Sequence, residues 1–367
     1  MDTQQQRQKG IIIAAGGTGG HIFPALAVAL QSKKQRGDLP LLWIGTTRSR
    51  EVELCERHGI PLVLLDVTGI ERRLSMKAAG AAMNFVLEFV RMRSMFAKNR
   101  PAAVIAFGGY VCAPVLAAAR LLSVPYFIHE QNTIAGAVNR MFAKGAKRVF
   151  AGLPLIGRQK LGDNVTMTGT PVRPRWESYE DFFYPPGFEK RKKTILICGG
   201  SQGAQSMNEC LIEPVRNWVK KGFQVVWQTG NAGYNDVRAK VESMKSVFVF
   251  PSIDDLYPYY ASAKLVVGRA GASTLAEIAY FGLPCVVIPL PWATENHQWI
   301  NAGVAEAQGW GVRIKQDERT FMNVDAAASS ILADKETFET MRRKALDHSP
   351  SAAAAAIVGT VLSEIRL

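Results

Sequence analysis

The chain has 367 residues, of which 48% are hydrophobic and 20% charged, so it is globular and long enough to favour two domains over one. Its five cysteines include no C-x-x-C pair and its histidines do not cluster, which argues against a disulfide framework and a structural zinc site and fits a reducing cytoplasm. The net charge of +13 is uneven, because the first 170 residues hold 22 Lys and Arg against 10 Asp and Glu, and the rest hold 22 against 21. This asymmetry predicts a polyanionic partner for the first half, either nucleic acid or an anionic membrane surface, unless the basic surface only aids solubility.

The first predicted element lies in "IIIAAGGTGGHIFPALAVAL", residues 11–30. An uncharged stretch between basic residues could be a signal peptide or a membrane span. Four glycines between residues 16 and 20 interrupt the unbroken apolar helix that either of these needs. We therefore expect a strand over 11–15, a glycine turn, and a helix over 22–31 that tolerates Pro24 in its first turn.

A second segment, Ile70 to Arg100, has seven basic residues against Glu71 and Glu88. Its apolar residues recur at steps of three and four, as in an amphipathic helix: Leu74, Ala78, Ala81, Phe85, Phe89, Met92 and Phe96. The most apolar part is shorter than the ~20 residues that span a bilayer. Such a helix can lie in the interface of an anionic membrane, although a helix packed on a core has the same period. No zinc-finger spacing or RNA-recognition signature is present, so no nucleic-acid partner is expected.

Strands alternating with helical stretches recur along the whole chain, and "TILICGGSQGAQSMN", residues 194–208, repeats the opening strand, glycine loop and helix. This rhythm predicts an α/β protein with two Rossmann-like parallel-sheet domains that face a cleft. The boundary is expected within residues 169–193, where prolines, aromatics and charges break the rhythm. Ligands of such sheets bind outside the carboxyl ends of the strands, where the glycine loops lie.

Both glycine loops precede helices, which suits them to bind an anion. A nicotinamide cofactor is not expected, because the G-x-G-x-x-G spacing is missing and the next strands end in Thr46 and Thr229 instead of an acidic residue. In "GRAGASTLAEIAYFGLP", residues 268–284, the first-turn N–H groups suit a diphosphate. Glu277 would accept from ribose hydroxyls, or would only complement the helix dipole. No Asp-x-Asp occurs in the chain, so we expect neither a metal ion nor another cofactor.

Eight motifs stand in the order found in one family of peptidoglycan enzymes: GGTGGHIFPA, FGGYV, HEQN, GTPVR, GGSQGAQ-x-MN, IDDL, RAGASTLAE and ENHQ-x-x-NA. Over residues 11–340 the chain thus resembles the undecaprenyldiphospho-muramoylpentapeptide β-N-acetylglucosaminyltransferases, which have the glycosyltransferase B fold. The resemblance implies transfer of N-acetylglucosamine from UDP to the C4 hydroxyl of undecaprenyl-diphospho-N-acetylmuramoyl-pentapeptide (lipid I). The product is lipid II, formed with inversion by a peripheral protein on the cytoplasmic membrane face.

The resemblance also implies a division into three parts. Residues 1–170 would be an acceptor-binding and membrane-facing domain, and residues 171–340 a UDP-sugar-binding domain. Residues 341–367 would be a C-terminal helix that packs back on the first domain.

Residue by residue, the resemblance implies a set of substrate contacts. They are Thr18, Gly19 and Gly20 at the phosphates; Asn132 and Gln298 at the sugar; Arg173 near the nucleotide; Ser201 at the diphosphate; Ile253 at the uracil through its backbone; and Ala272, Ser273, Thr274, Leu275, Ala276 and Glu277 at the diphosphate and ribose. Three departures from the usual pattern are Thr170 before PVR, Ser252 beside the uracil site and Cys112 after GGYV.

Inverting transfer requires a base at the acceptor hydroxyl. His21 has a suitable proton affinity, although a histidine at a helix start can also bind phosphate or pack. Glu130 is the second candidate base, and Tyr110 and His129 could orient the acceptor. Two rival functions stay open: a UDP-sugar epimerase or hydrolase of the same fold, and a noncatalytic membrane-binding or nucleic-acid-binding module.

Overall fold

The computed structural model describes residues 9–47, 50–69, 76–157, 161–174, 185, 187–199, 204–253 and 255–365. The chain forms two compact units. The first contains residues 1–173 and 351–367, and the second contains residues 174–350.

The first unit is built on a parallel sheet. Its strands are β1 (Ile11–Ala14), β2 (Leu41–Thr46), β3 (Leu62–Leu65), β4 (Ala103–Ala106), β5 (Tyr126–Glu130), β6 (Val149–Ala151) and β7 (Val165–Met167). Its helices are α1 (Gly19–Gln35), α2 (Glu51–Arg57), α3 (Met76–Lys98), α4 (Cys112–Leu121) and α5 (Ala137–Phe142), with α13 (Ala353–Glu364) from the end of the chain. A 3-10 turn, Ala143–Gly145, follows α5. Among the described residues the strand order is β3-β2-β1-β4-β5-β6-β7, and all neighbours are parallel.

The second unit repeats this plan. Its strands are β8 (Thr194–Cys198), β9 (Gln224–Gln228), β10 (Val247–Phe250), β11 (Leu265–Gly268), β12 (Cys285–Val287) and β13 (Gly311–Arg313). Its helices are α6 (Gln205–Lys220), α7 (Tyr234–Val241), α8 (Tyr257–Ser262), α9 (Ala272–Tyr280), α10 (His297–Ala307), α11 (Thr320–Ala333) and α12 (Lys335–Asp347), with a 3-10 turn at Thr294–Asn296. Within the described ranges the strand order is β10-β9-β8-β11-β12-β13, again parallel throughout. The predicted α/β class with two Rossmann-like sheets is confirmed.

Each sheet reverses its strand order at one point, between β1 and β4 in the first unit and between β8 and β11 in the second. The reversal opens a crevice at the carboxyl ends of these strands, which is where ligands of such sheets bind. Three glycine loops follow these strands within the described ranges: residues 15–20 after β1, 107–110 after β4 and 269–271 after β11. The fold therefore brings the two loops of the first unit together.

The end of the chain differs from the predicted C-terminal part. Residues 341–347 belong to α12, which is in the second unit, and only α13 belongs to the first. On α13, Ile357, Val358 and Val361 are buried in the same core as Leu26 of α1. The Arg148 guanidinium also donates to the Glu364 carboxylate at 2.6 Å.

Helix α3 turns to the core the same apolar stripe that we considered for the lipid interface. Ala81, Met92 and Phe96 of the predicted stripe are buried, and Phe85 and Phe89 are half-buried. The residues of that stripe at 74 and 78 lie outside the described side chains, and the segment 70–75 is not described. The predicted stripe is thus the packing face, because the side chains that face the sheet must fill its core.

A second apolar stripe on α3 is exposed instead. Met83, Val86, Leu87 and Val90 have 61%, 51%, 60% and 54% of their surface accessible, and their spacing of three and four residues places them on one face. In the described part of the chain, no helix combines the length and apolar character needed to cross a membrane.

Candidate active site

The glycine loop after β1 leads directly into α1. Helix α1 begins at Gly19, three residues earlier than predicted, because Thr18 adopts the extended conformation of an N-cap and Gly17 the left-handed conformation with φ +91°. The first turn contains no acidic residue, so the positive end of the helix dipole is not neutralised there. Thr18 and Gly17 are exposed, and Gly19 and Gly20 are half-exposed. The loop therefore presents a helix N-terminus that suits a phosphate group, at the switch point of the sheet.

His21 lies in the first turn of α1. Its Nδ1 lies 3.2 Å from the carbonyl oxygen of Gly16 and 3.4 Å from the Thr18 hydroxyl. Because a carbonyl only accepts, this contact favours the tautomer that carries its proton on Nδ1 and leaves the Nε2 lone pair open. Burial lowers the pKa of His21 below its ordinary value, against the Glu130 charge, which raises it. The imidazole is therefore neutral at pH 7 and able to accept a proton at Nε2.

The loop after β4 closes on the ring of His21. Gly108 has φ +96°, and a Cβ there would lie 3.2 Å from His21 Nε2. Gly109 has φ +83°, and a Cβ there would lie 2.7 Å from the Gly16 carbonyl oxygen. Both positions thus require glycine for conformation and for space. Tyr110, the next residue, is 60% exposed, and its ring lies against the backbone of Gly69.

Glu130 is only 2% exposed, and both of its carboxylate oxygens accept hydrogen bonds. Oε2 accepts from the backbone N–H of Gly136 at 2.8 Å and from Asn139 Nδ2 at 2.7 Å. Oε1 accepts from the backbone N–H of Asn132 at 3.0 Å and from its side-chain amide at 3.4 Å. The carboxylate therefore holds the loop between β5 and α5 in place, and it fixes Asn132 beside it.

Two other residues predicted near the substrate have structural surroundings. His129 is fully buried, stacks on Phe107 at 5.5 Å and contacts the Gly169 carbonyl at 3.2 Å through Nε2, so it cannot touch an acceptor in this arrangement. Burial lowers the pKa of His129 to about 4, so this ring is neutral. Arg173 places its guanidinium 4.9 Å from the ring centre of Phe23 on α1. Its predicted role near the nucleotide stays a prediction.

In the second unit, the loop after β11 leads into α9. Gly271 is the N-cap, and the first turn of α9 contains no acidic residue. In any α-helix the first-turn N–H groups make no hydrogen bond within the helix, so those of Ala272, Ser273 and Thr274 suit an anion. The Leu275 side chain is buried and its N–H donates to the Gly271 carbonyl at 2.9 Å, and its predicted substrate contact stays a prediction.

Among the remaining predicted residues, Ala276 and Glu277 are half-buried on α9, and Gln298 lies in the first turn of α10. Gln298 accepts a hydrogen bond from the Leu290 N–H at 3.0 Å, which orients its amide N–H groups away from that contact. Ile253 is 38% exposed after β10. Ser201 lies outside the described residues.

Arg269 is a residue that our sequence analysis missed. It is 6% exposed, and its guanidinium donates to the carbonyl of Ile288 at 2.9 Å, to Gln316 Oε1 at 2.7 Å and to Ser206 Oγ at 3.2 Å. Burial lowers the pKa of Arg269 to about 10, so it stays charged at neutral pH. One buried cation thus ties together the loops after β11 and β12 and the start of α6. In the sequence, the feature that could have indicated this residue was its position directly after β11.

Glu51, at the start of α2, is the second missed residue. It is fully buried, and its Oε1 accepts from the Thr46 N–H at 3.3 Å and from the Thr46 hydroxyl at 3.4 Å. The same carboxyl group accepts from the backbone of Gly17, while Oε2 is buried without a partner among the described residues. A Cβ on Gly16 would lie 2.6 Å from Oε1. Glu51 therefore packs against the glycine loop and holds it in place through a hydrogen bond. Its spacing from the apolar residues Leu54 and Cys55 could have placed it on the buried face of α2.

No group of three His, Cys, Asp or Glu side chains in the described ranges could hold a metal ion. The expectation of metal-independent chemistry stays a prediction.

Two family models match the chain. The model of the glycosyltransferase family 28 N-terminal domain matches residues 11–151, and that of the family 28 C-terminal domain matches residues 194–356. The chain belongs to glycosyltransferase family 28. The first model spans β1 to β6 and the second spans β8 to β13, and the predicted family and glycosyltransferase B fold are confirmed.

Individual relatives agree with this family. The UDP-N-acetylglucosamine–N-acetylmuramyl-(pentapeptide) pyrophosphoryl-undecaprenol N-acetylglucosamine transferase of Bacillus licheniformis is 36% identical over 340 residues, which are 91% of this chain and 93% of that protein. The crystal structure of Acinetobacter baumannii MurG has a TM-score of 0.74 and 28% identity, covering 97% of this chain and 99% of that chain. The UDP-N-acetylglucosamine 2-epimerase of Neisseria meningitidis has a TM-score of 0.69 over 97% of this chain and 100% of that chain, but at 15% identity it shares the fold alone.

We predict opposite effects of two substitutions at Glu51. Glu51→Ala leaves the buried Thr46 N–H without its acceptor and should lower the free energy of unfolding by about 1–3 kcal/mol. Glu51→Gln keeps the shape of the side chain and removes its ability to carry a charge. Burial raises the pKa of Glu51, so the wild-type protein loses stability as the pH rises from 4.5 through that raised pKa. Gln does not titrate, so Glu51→Gln should gain stability relative to wild type as the pH rises through this window.

Denaturant unfolding at several pH values measures both effects. The matched control is Glu53→Gln on the same helix, where the exposed carboxylate pairs with Arg57 at 2.6 Å and its loss should change stability by less than about 1 kcal/mol. A difference between Glu51→Gln and wild type that does not depend on pH would contradict the buried, titrating carboxyl group.

Proposed function

We propose that this chain transfers N-acetylglucosamine from UDP-N-acetylglucosamine to the C4 hydroxyl of lipid-linked N-acetylmuramoyl-pentapeptide, with inversion at the anomeric carbon. The activity of relatives that are over 30% identical across nine-tenths of the chain supports this reaction. So do two phosphate-type helix N-termini at the two switch points. The reaction forms lipid II for peptidoglycan synthesis at the cytoplasmic face of the membrane.

The second unit binds the donor in this proposal. The first turn of α9, from Ala272 to Thr274, binds the diphosphate, together with Ser201. Glu277 accepts from the ribose hydroxyls, the backbone of Ile253 reads the uracil, and Gln298 holds the sugar. Neutral N–H groups then stabilise the departing UDP, so no divalent ion is required.

The first unit binds the acceptor and supplies the base. The observation that carries this role is the contact between His21 Nδ1 and the Gly16 carbonyl, which leaves Nε2 as the proton acceptor. Nε2 takes the proton of the C4 hydroxyl while that oxygen attacks the anomeric carbon and the bond to the UDP oxygen breaks. Thr18, Gly19 and Gly20 bind the acceptor diphosphate, and Tyr110 and Asn132 line the same side of the sheet.

Glu130 acts on His21 through its charge in this mechanism. Its two oxygens are engaged by four donors, which favours a positioning role over that of a base. Its negative charge raises the pKa of His21 and so stabilises the imidazolium that forms as the proton arrives. Burial thus lowers the pKa of His21, and the Glu130 charge raises it.

The exposed stripe of α3, formed by Met83, Val86, Leu87 and Val90, is the membrane contact in this proposal. A polyprenyl diphosphate acceptor stays in the bilayer, so the acceptor-binding unit must approach the lipid. Arg93 and Lys98 are exposed on the same helix and favour anionic headgroups.

The reaction is tested with labelled UDP-N-acetylglucosamine and a lipid-linked muramoyl-pentapeptide acceptor in the presence of EDTA. We expect label in the lipid fraction at a rate that EDTA does not change. Label in another sugar nucleotide or in free sugar would favour the epimerase or hydrolase, and unchanged donor would favour a binding module. Complete loss of transfer in EDTA that magnesium restores would contradict metal-independent chemistry.

His21→Asn should lower kcat by about 10²–10⁴-fold and leave the affinity for UDP unchanged, because the loss falls on proton transfer. Wild-type kcat/KM should fall with decreasing pH through the His21 pKa, which burial holds below 6.5. The residual activity of His21→Asn should lack this dependence. In Glu130→Gln the midpoint should move to lower pH, because the charge that raises the His21 pKa is gone.

His58→Asn is the matched control, since His58 is a half-buried histidine of the same unit whose pKa burial also lowers. It should keep the wild-type pH profile. A wild-type midpoint above 6.5, or a His21→Asn variant of normal kcat, would rule out His21 as the base.

Met83→Ser with Leu87→Ser should weaken binding to vesicles that contain phosphatidylglycerol by about tenfold or more, because two large apolar side chains no longer enter the interface. The affinity for UDP should not change. The matched control is Phe321→Ser with Met322→Ser, which removes two exposed apolar side chains from the second unit. Sedimentation with vesicles measures binding. An equal loss of vesicle binding in both double variants would contradict the assignment of the stripe as the membrane contact.

A further inference from the structure

A buried tyrosine hydroxyl contacts the carboxylate that we assign to the ribose. Tyr260, on α8, is 1% exposed, and its hydroxyl donates to Glu277 Oε2 at 3.2 Å. Glu277 itself is half-buried on α9. The contact therefore joins a side chain fixed in the core to one that reaches the surface of the second unit.

The ring of Tyr260 has little freedom to move. It stacks on Phe281 with centroids 5.4 Å apart and planes 16° apart, and it meets Tyr257 edge-on at 6.5 Å. The thiol of Cys198, the last residue of β8, lies within hydrogen-bonding reach of the same hydroxyl. Burial raises the pKa of Tyr260 well above its ordinary value, so the hydroxyl keeps its proton and stays a donor.

A donor held in this way constrains its acceptor. A glutamate side chain has several rotatable bonds, and their freedom is lost when the carboxylate binds a ligand in one orientation. A hydrogen bond that fixes Oε2 before the ligand arrives removes part of that loss. Because the carboxylate is planar, fixing one oxygen also limits where the second can lie.

We infer that Tyr260 is a positioning residue for Glu277, and that this pair sets a preference for ribose over deoxyribose in the nucleotide bound by the second unit. The inference rests on the proposed function, which places Glu277 at the ribose. Tyr260 acts through Glu277 and does not touch the nucleotide. Its role is therefore in specificity and not in the strength of diphosphate binding.

The experiment measures the affinities of the full chain for UDP, 2′-deoxy-UDP and 3′-deoxy-UDP by calorimetry. We expect wild type to prefer UDP by on the order of tenfold over at least one analogue, since a hydrogen bond to a charged group is lost. In Tyr260→Phe the preference should fall to within about threefold of unity, because Glu277 is no longer held in place. Each preference is the ratio of two affinities measured on one preparation. An unfolded fraction of the protein therefore does not change this ratio.

Two further variants separate positioning from packing. Tyr259→Phe removes a hydroxyl from the neighbouring residue, whose ring stacks on Phe250 at 5.0 Å, and should keep the wild-type preference. Glu277→Ala should abolish the preference, and adding Tyr260→Phe to it should change the preference no further, as expected for two residues that act as one unit.

The outcomes distinguish the inference from the proposed function. Wild-type preference with loss in Tyr260→Phe and retention in Tyr259→Phe supports the inference. A wild-type preference that Tyr260→Phe retains overturns the inference alone, as does an equal loss in both tyrosine variants. A wild type without any preference would overturn the placement of Glu277 at the ribose, and the inference with it.

Discussion

The backbone of Gly16 lies between two ionisable side chains, and the first unit depends on that arrangement. Its carbonyl oxygen faces His21 Nδ1 at 3.2 Å, and a Cβ at this residue would lie 2.6 Å from Glu51 Oε1. The loop after β4 approaches from the other side, since a Cβ on Gly109 would lie 2.7 Å from the same carbonyl. Only glycine permits both approaches. The position and tautomer of His21 therefore follow from two glycines and one buried carboxyl group, none of which needs to touch the substrate.

In our proposal, the two units use the same switch point for different chemistry. Proton transfer requires a group that titrates near neutrality, and the first unit places His21 directly after its first glycine loop. Stabilising a diphosphate requires donors that do not titrate, and the second unit offers the start of α9 braced by Arg269. The charge distribution agrees with this division, because the half of the chain that binds the doubly charged donor in our proposal is nearly neutral. The basic excess of the first half is then available for the membrane surface.

Strands and glycine loops were predictable because both leave strong signals in the sequence. Short β-branched runs followed by glycines indicated β1, β8 and the loop after β1, and the structure has these three there. The orientation of α3 was not predictable, since its apolar residues extend nearly round the helix, and Phe89 and Leu87 belong to stripes of the same period. Only the position of the sheet decides which stripe packs against the core.

Glu51 and Arg269 were missed for a related reason. A charged residue beside a turn has the pattern of a solvated one, and its burial depends on partners distant in the sequence.

The opposing influences on His21 explain why Glu130 belongs near it without acting as a base. A neutral imidazole is needed before the reaction, and burial favours it. An imidazolium forms during the reaction, and burial alone would oppose it. A carboxylate whose own oxygens are engaged by Gly136 and Asn139 keeps its position, and its influence on the pKa of His21 favours that second step. A carboxylate without such partners would be free to turn towards His21 and favour the tautomer with the proton on Nε2, which removes the lone pair that the acceptor hydroxyl requires. In the proposed mechanism, fixing Glu130 in its loop thus keeps His21 available as the base.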